Sequence, residues 1–281
     1  MFQGRKTIQL NDGNIIPILG YGTAKKPDVA AAITMAITEA DMRHLDCAER
    51  YNNEVGIGKG LKKLDGDRSE LFVTSKLERE PRIALTDTLE SLGLNYVDLY
   101  LIHNPNFVKH LGLGKAWQEM ETLQAEGKAR SIGVSNYRIS DLEETLKTAR
   151  VIPAVNQIEV QPYMIGAGLP LIEYCKAKGI TIAVFSALAP LTHFPGGPVD
   201  PVVREIAAQI GSTEDQVLLK WAHQVTCGGI VLTTSLRSER LRGQIHALEE
   251  MEPLSESQMQ SITSAGRSGK HQRVYDGWMD T

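Results

Sequence analysis

The segment HLDCAERYNNE (residues 44–54) places Asp46 at the end of a short apolar run and Tyr51 five residues later. The next two apolar runs end at Lys76 and His103. A tyrosine with its ordinary pKa of about 10 is a poor acid at neutral pH, unless a nearby cation stabilises the phenolate. Lys76 can be that cation, and Asp46 can keep the lysine charged.

An imidazole offers both a donor and an acceptor, so His103 can hold a substrate carbonyl in line with the tyrosine hydroxyl or pass a proton to it. The four residues together predict proton donation to a carbonyl oxygen. They include no obvious nucleophile. Taken singly, each has a structural interpretation: a solvated lysine, a core histidine and an aspartate that caps a loop.

The elements that must position these residues alternate between short apolar runs and amphipathic segments. Eight strands are predicted, at residues 18–20, 44–46, 71–75, 97–102, 130–134, 154–158, 181–185 and 230–232. Eight helices are predicted between and after them, at residues 28–40, 55–64, 82–92, 114–126, 140–149, 169–178, 201–210 and 213–224. This pattern predicts an α/β fold of the (β/α)8 TIM-barrel type as a single domain over residues 1–281, with a C-terminal tail. Such a barrel gathers its strand ends on one face, where the four residues would meet.

Local signals support these elements. The turn residues within 7–17 predict an N-terminal hairpin that closes the bottom of the barrel. Ser140 is predicted to begin a capping box, and Gly93, Gly127, Gly179 and Gly211 are predicted to end helices. An open doubly wound sheet is the alternative fold, but the glycines at 56–60 lack the phosphate-binding spacing and are expected to pack against a neighbour.

Composition limits the function classes. The 281 residues carry a formal net charge of −4 and three scattered cysteines, which indicates neither a disulfide framework nor a nucleic-acid or membrane surface. No run is long enough to cross a membrane, and the first residues lack the apolar core of a secretory signal. We therefore expect a cytoplasmic protein that acts on a small molecule and holds no metal.

The sequence resembles an aldo-keto reductase over nearly its whole length. The resemblance lies in ILGYGT, HLDCAERYNNE, LFVTSKL, LGLNYVDLYLIHNP, GKARSIGVSNY, PAVNQIE, ITIAVFSALAP and LTTSLRSERL. It implies that Asp46, Tyr51, Lys76 and His103 are a catalytic tetrad and that a reduced nicotinamide delivers hydride to the substrate carbon. It also implies a monomer.

The resemblance also implies a set of cofactor contacts. Ser135, Asn136 and Gln157 match residues that hold the nicotinamide carboxamide, and Phe185 matches the aromatic that stacks on the nicotinamide ring. The tetrad residue Asp46 is included among the cofactor contacts. The remaining expected contacts to the pyrophosphate, ribose and adenosine are Gly22, Thr23, Ser186, Leu188, Thr234, Ser235, Arg240 and Gln244.

The cofactor is expected to be NADPH, with NADH as the alternative. Many family members have lysine where this chain has Thr234, and that lysine meets the 2′-phosphate of NADPH. Arg240 matches a second phosphate ligand, with Arg237 and Arg242 as further candidate charges. The Thr-Thr-Ser variant resembles fungal conjugated polyketone and α-keto amide reductases, which use NADPH.

The predicted substrate pocket is wider and more polar than in aldose and aldehyde reductases. Ala24, Glu78 and Asn104 stand where those enzymes have tryptophans, which favours α-dicarbonyls, keto lactones or keto amides. His193, Phe194, Tyr275 and Trp278 are further candidate wall residues.

Three other functions remain open from the residues alone. The chain could be a cofactor-binding redox sensor without activity, or an aldolase that forms a Schiff base on Lys76. It could also be a metal hydrolase using His44 and His103, although the spacing matches no known ligand signature.

Overall fold

The computed structural model describes residues 2, 4–64 and 66–275. Within them, eight parallel strands close into a barrel in the order β10-β3-β4-β5-β6-β7-β8-β9. The strands are β3 (Leu19–Gly22), β4 (His44–Asp46), β5 (Phe72–Leu77), β6 (Val97–Ile102), β7 (Ala129–Ser135), β8 (Val155–Glu159), β9 (Thr181–Phe185) and β10 (Ile230–Thr233). This closed sheet confirms the predicted barrel and excludes an open doubly wound sheet.

Helices surround the barrel. They are α1 (Val29–Thr38), α2 (Glu54–Leu61), α3 (Pro81–Leu92), α4 (Leu113–Ala125), α5 (Ile139–Leu146), α6 (Ile165–Ala177), α7 (Ala189–Thr192), α8 (Val199–Ile210), α9 (Glu214–Val225), α10 (Ser238–Glu249) and α11 (Glu256–Ser268). The sequence pattern did not predict α7, α10 or α11. None of the helices in the described parts of the chain has the combination of length and apolar character needed to cross a bilayer.

The N-terminal hairpin consists of β1 (Thr7–Gln9) and β2 (Ile15–Pro17), which pair antiparallel. Asn11 Nδ2 donates to the carbonyl of Pro153 at 3.0 Å, and Asn14 Nδ2 donates to the carbonyl of Arg130 at 3.2 Å. Pro153 and Arg130 lie where β8 and β7 begin. The hairpin therefore covers the amino-terminal end of the barrel, as predicted, and leaves the opposite face for chemistry.

The predicted capping box at Ser140 is wrong. Helix α5 begins at Ile139, and Arg138 is its N-cap residue. Asp141 accepts from the backbone N–H of Arg138 at 3.1 Å and from Arg138 Nε at 2.9 Å. Because this charged pair satisfies the first turn, the helix begins earlier than the serine signal indicates.

Apolar side chains fill two regions of the barrel. The larger cluster lies between the strands and the helices. The smaller cluster includes Phe72, Leu101 and Val155, and its strand residues alternate along the strands with those of the larger cluster. In α2, a Cβ added to Gly58 would lie 2.5 Å from the carbonyl oxygen of Ser91. Gly58 therefore permits close packing on α3, whereas Gly56 and Gly60 face α1, so the glycines of this helix pack against neighbours as the sequence indicated.

Candidate active site

The carboxyl ends of β4, β5 and β6 hold the four predicted catalytic residues. Asp46 is the last residue of β4, Lys76 lies near the end of β5, and His103 follows β6. Tyr51 closes a short 3₁₀ helix, Glu49–Tyr51, after β4. Parallel neighbouring strands bring all four to the same face of the barrel.

Lys76 Nζ is the centre of this group. It donates to Asp46 Oδ1 at 2.6 Å, to the carbonyl of Cys47 at 2.8 Å and to Tyr51 Oη at 3.4 Å. The lysine side chain is fully buried and the Asp46 side chain is 3% exposed. A buried ammonium with these three acceptors is well satisfied, and it lies within reach of a charge that forms on the phenol oxygen.

His103 lies beside Tyr51. The two rings meet edge to face, with centroids 6.0 Å apart and an interplanar angle of 84°. A carbonyl oxygen placed between Tyr51 Oη and the imidazole would therefore meet two groups that can donate or accept a proton.

The protonation states suit proton donation but correct one expectation. Burial raises the pKa of Tyr51 to about 12, although the nearby Lys76 ammonium acts in the opposite direction. We expected the lysine to bring this pKa below its ordinary value. Desolvation of the phenolate outweighs the cation, so the phenol holds its proton at neutral pH.

Lys76 and His103 have opposite charge states. Burial alone would lower the pKa of Lys76, but Asp46 and Tyr51 outweigh it and the pKa lies above its ordinary value. Burial, with the neighbouring cations of Lys76 and Arg50, lowers the pKa of His103 well below its usual range. At neutral pH the site therefore holds an ammonium and a neutral imidazole. A protonated lysine is not a nucleophile, which argues against Schiff-base chemistry.

The predicted carboxamide ligands are connected to the tetrad by hydrogen bonds. Gln157 Nε2 donates to Asp46 Oδ2 at 2.8 Å, and Ser135 Oγ donates to the carbonyl of Gln157 at 2.8 Å. Asn136 Nδ2 donates to the carbonyl of His103 at 3.0 Å and to Ser135 Oγ at 3.0 Å. The ends of β7 and β8 thus form one buried polar network with Asp46 and His103.

Two predicted cofactor residues have a left-handed backbone. Asn136 follows β7 and Ser186 follows β9, and each has a φ of 58°. This conformation costs a non-glycine residue about 1–2 kcal/mol and is concentrated at functional sites. It turns the backbone sharply after β7 and after β9, the two strands that flank Gln157 in β8.

The other predicted contacts near β3 and β9 also lie at this face. Thr23 Oγ1 donates to the carbonyl of Asp46 at 2.9 Å, and Gly22 pairs with Asp46 in the barrel. Phe185 ends β9, and its ring lies edge to face with Tyr275 at 5.8 Å. Leu188 is the half-buried N-cap residue of α7.

The predicted adenosine contacts form a separate group at β10 and α10. Thr234 Oγ1 donates to the carbonyl of Gly22 at 2.8 Å, and the carbonyl of Ser235 accepts from Tyr21 Oη at 3.0 Å. Arg240 lines a cavity of about 520 Å³. Its Nε donates to Asp215 Oδ2 at 2.9 Å, a partner that the sequence did not indicate.

Gln244, predicted as a cofactor contact, lies beside Asp215. Its side chain is fully buried. Gln244 Nε2 donates to Asp215 Oδ2 at 2.8 Å, and Gln244 Oε1 accepts from Thr233 Oγ1 at 2.9 Å. Both ends of the amide have protein partners, so Gln244 helps to position Asp215.

The candidate substrate residues are more varied than predicted. Ala24 and Glu78 are half-buried, and Glu78 Oε1 accepts from Arg50 Nη1 at 2.7 Å. Asn104 is 3% exposed, and its Oδ1 accepts from the backbone N–H of Asn106 at 2.9 Å. Asn104 therefore shapes a 3₁₀ turn beside His103. The polar group at the expected pocket rim is the ion pair of Glu78 with Arg50.

The remaining wall candidates lie on two segments. Phe194, next to His193 after α7, packs edge to face on Tyr163 at 6.3 Å. His193 is exposed, and its Nδ1 lies 2.9 Å from Thr192 Oγ1. Trp278 lies outside the residues that the structure describes.

Two charged residues at these sites, Arg50 and Asp215, were not predicted from the sequence. Arg50 lies beside Tyr51 in the segment that first indicated chemistry, and its proximity to the catalytic residues was the available signal. Asp215 gave no such signal, because an acidic residue in the first turn of a helix is ordinary.

His44 does not join the tetrad's chemistry. Burial lowers the pKa of His44 to about 4. Its Nε2 lies 2.9 Å from Thr74 Oγ1 inside the barrel. Among residues 2, 4–64 and 66–275, no three His, Cys, Asp or Glu side chains are grouped as metal ligands would be.

The residues present fit the nicotinamide dinucleotide that the resemblance implies. Ser135, Asn136 and Gln157 place amide and hydroxyl groups beside the tetrad, and Phe185 provides an aromatic ring at the next strand end. The cavity at Arg240 provides room for the adenosine end.

Comparisons with known proteins agree with this geometry. A model of the aldo/keto reductase family matches residues 7–267. The NAD/NADP-dependent indole-3-acetaldehyde reductase of Schizosaccharomyces pombe is 38% identical over 240 residues, covering 81% of this chain and 84% of that protein. The NADPH-dependent alpha-keto amide reductase of Saccharomyces cerevisiae is 32% identical over 295 residues, covering 95% and 92%.

A solved structure shows the same fold. The crystal structure of a Bombyx mori aldo-keto reductase in complex with NADP superposes with a TM-score of 0.85 at 30% identity, covering 97% of this chain and 95% of that one. The chain belongs to the aldo/keto reductase family.

Proposed function

We propose that this protein reduces aldehydes or ketones to alcohols with NADPH, and that Tyr51 donates the proton to the carbonyl oxygen. The contact of Lys76 Nζ with both Asp46 Oδ1 and Tyr51 Oη carries the proposal. It joins a protonated phenol to a fixed positive charge in a buried site. A known NADP-bound relative and NADPH-dependent relatives support the choice of cofactor.

The side chains divide the work of proton transfer. Tyr51 holds its proton until the substrate oxygen becomes basic, and Lys76 then stabilises the phenolate. Asp46 keeps the lysine charged and in place. His103, neutral at neutral pH, orients the carbonyl oxygen toward the phenol. When bound, the reduced nicotinamide supplies the hydride that the carbonyl carbon receives.

Ser135, Asn136 and Gln157 would hold the carboxamide of the nicotinamide, and Phe185 would stack on its ring. Since Gln157 also donates to Asp46, the same amide would couple the cofactor's position to the tetrad. Arg240 and Ser235 would lie toward the adenosine end.

The side chains beside the tetrad support a substrate class. Ala24 adds little bulk, and the Arg50–Glu78 pair presents both signs of charge beside the tetrad. Ketones with neighbouring polar groups, such as α-dicarbonyls, keto lactones and keto amides, can form hydrogen bonds there that simple aromatic aldehydes cannot.

The test is steady-state kinetics with NADPH and NADH over a panel that contains a diketone, a keto lactone and benzaldehyde. We expect NADPH oxidation, with a higher kcat/KM for the diketone than for benzaldehyde. A strong preference for benzaldehyde would reject the substrate class, and no oxidation with any carbonyl would reject the activity.

We further propose that residues 1–281 act as one domain, as a cytoplasmic monomer. The family match over residues 7–267 supports the single domain. Sedimentation of the purified chain tests the oligomeric state.

A further inference from the structure

The cavity beside Arg240 has a balanced charge. It has a volume of about 520 Å³, and its charged lining residues are Arg204, Glu214, Asp215 and Arg240. Arg240 Nε lies 2.9 Å from Asp215 Oδ2, and Arg204 Nε lies 3.0 Å from Glu214 Oε1. Two guanidinium groups and two carboxylates cancel, so the cavity is not the positively charged site that a phosphate alone would require.

Asp215 is the best fixed of these charges. Its side chain is 14% exposed. Its Oδ2 accepts from Arg240 and from Gln244 Nε2 at 2.8 Å, and its Oδ1 accepts from Thr213 Oγ1 at 2.6 Å. Burial opposes ionisation, but these hydrogen bonds outweigh it and leave the pKa of Asp215 below its ordinary value.

The local fold also favours this charge. Asp215 lies in the first turn of α9, and Thr213 is the N-cap of that helix. The positive end of the helix dipole stabilises a carboxylate at that position. Asp215 is therefore a permanently ionised carboxylate beside Arg240. The family resemblance assigns Arg240 to the 2′-phosphate.

The other positions that the sequence suggested for the 2′-phosphate are either neutral or have polar partners of their own. Thr234 stands where many family members have lysine, and its hydroxyl donates to the carbonyl of Gly22. Arg242 Nη1 donates to the carbonyl of Glu39 at 2.8 Å, so it points to α1. Arg237 is 75% exposed and lies 3.8 Å from Glu239.

We propose that Asp215 sets the cofactor selectivity of this enzyme by neutralising Arg240, which narrows the preference for NADPH over NADH. A carboxylate repels a 2′-phosphate, whereas it accepts a hydrogen bond from a 2′-hydroxyl. The inference rests on the proposed function, because it takes the Arg240 cavity as the adenosine site of a nicotinamide dinucleotide.

The test measures the Kd of NADP⁺ and of NAD⁺ by isothermal titration calorimetry, with no substrate present. In the wild type we expect the two values to differ by less than about tenfold, since a charge-assisted contact is largely cancelled. In Asp215→Asn, which keeps the size of the side chain, we expect the preference for NADP⁺ to rise by about three- to tenfold.

Glu144→Gln is the matched control, because it removes one negative charge from a surface ion pair with Lys147, outside the cavity. It should leave the ratio unchanged. An equal shift of the ratio in the control overturns the inference, as does an unchanged or lower preference for NADP⁺ in Asp215→Asn. Either result leaves the proposed function standing.

The Kd values of the wild type test the inference even if the variant does not fold. A wild-type preference for NADP⁺ greater than about a hundredfold overturns the inference, because the full phosphate contact would then be available. Failure of the wild type to bind either dinucleotide overturns the proposed function and the inference with it.

Discussion

Gln157 Nε2 donates to Asp46 Oδ2 at 2.8 Å, and this bond joins the proposed nicotinamide site to the catalytic tetrad. The other oxygen of the same carboxylate accepts from Lys76. Asp46 is therefore held from two directions, by a charged donor in β5 and a neutral donor in β8.

Gln157→Leu should affect both binding and turnover. It removes the carboxamide contact and one of the two donors to Asp46, so we expect about a tenfold loss of NADP⁺ affinity together with a lower kcat. Calorimetry and steady-state kinetics measure the two effects. A loss of affinity with an unchanged kcat at saturating cofactor would show that the bond to Asp46 has no catalytic role.

Lys76→Met should destabilise the fold as well as abolish activity. It leaves the Asp46 carboxylate buried without its charged partner, which costs about 3 kcal/mol in the free energy of unfolding. Lys147→Met removes a lysine that is 68% exposed, and it should cost less than about 1 kcal/mol. Urea denaturation compares the two, and equal losses would contradict the account of the buried pair.

Asn136 allows strain to be separated from chemistry. Asn136→Gly and Asn136→Ala both remove the amide that donates to the carbonyl of His103. Only alanine also bears the cost of a left-handed φ, about 1 kcal/mol. We expect equal losses of NADP⁺ affinity, with a lower free energy of unfolding for the alanine variant. A less stable glycine variant would contradict this.

Stability should fall as the pH decreases from about 6.5, because histidines whose pKa is lowered by burial resist protonation. The pKa of His44 is lowered by burial from 6.5 to about 4, and that of His103 is lowered well below 6.5. Below pH 6.5 the unfolded chain binds protons that the native chain does not. Each histidine then contributes a loss of up to about 1.4 kcal/mol per pH unit.

Urea unfolding between about pH 6.5 and 5.5 checks this slope. Burial raises the pKa of Glu54, which acts in the opposite direction at lower pH. His103→Gln should reduce the slope, since it removes one of the three histidines whose pKa is lowered by burial, the others being His44 and His223. An unchanged slope would show that His103 is not the source.

The sequence predicted the barrel and the meeting of the tetrad, because each depends on a repeated local signal. Strand ends follow from apolar runs, and parallel strands place those ends on one face. Helices α10 and α11 were missed because their apolar positions are sparse among polar and charged residues, such as Arg240 and Arg242 in α10.

Side-chain pairing was harder to predict. The Asp215–Arg240 contact joins residues 25 positions apart on different helices, and nothing in either local sequence indicates it. The pKa of Tyr51 depends on how completely the phenol is buried, which outweighs the effect of Lys76. Long-range packing sets both quantities, and a single sequence does not report it.

The most direct test of the account is the turnover of Tyr51→Phe with NADPH and a diketone, with NADP⁺ binding measured on the same sample. Only the phenolic hydroxyl is removed, so the account predicts that kcat falls by at least about a hundredfold while the Kd of NADP⁺ stays within about twofold. A variant that binds NADP⁺ normally and retains kcat within about tenfold of the wild type would contradict the role of Tyr51 as the proton donor.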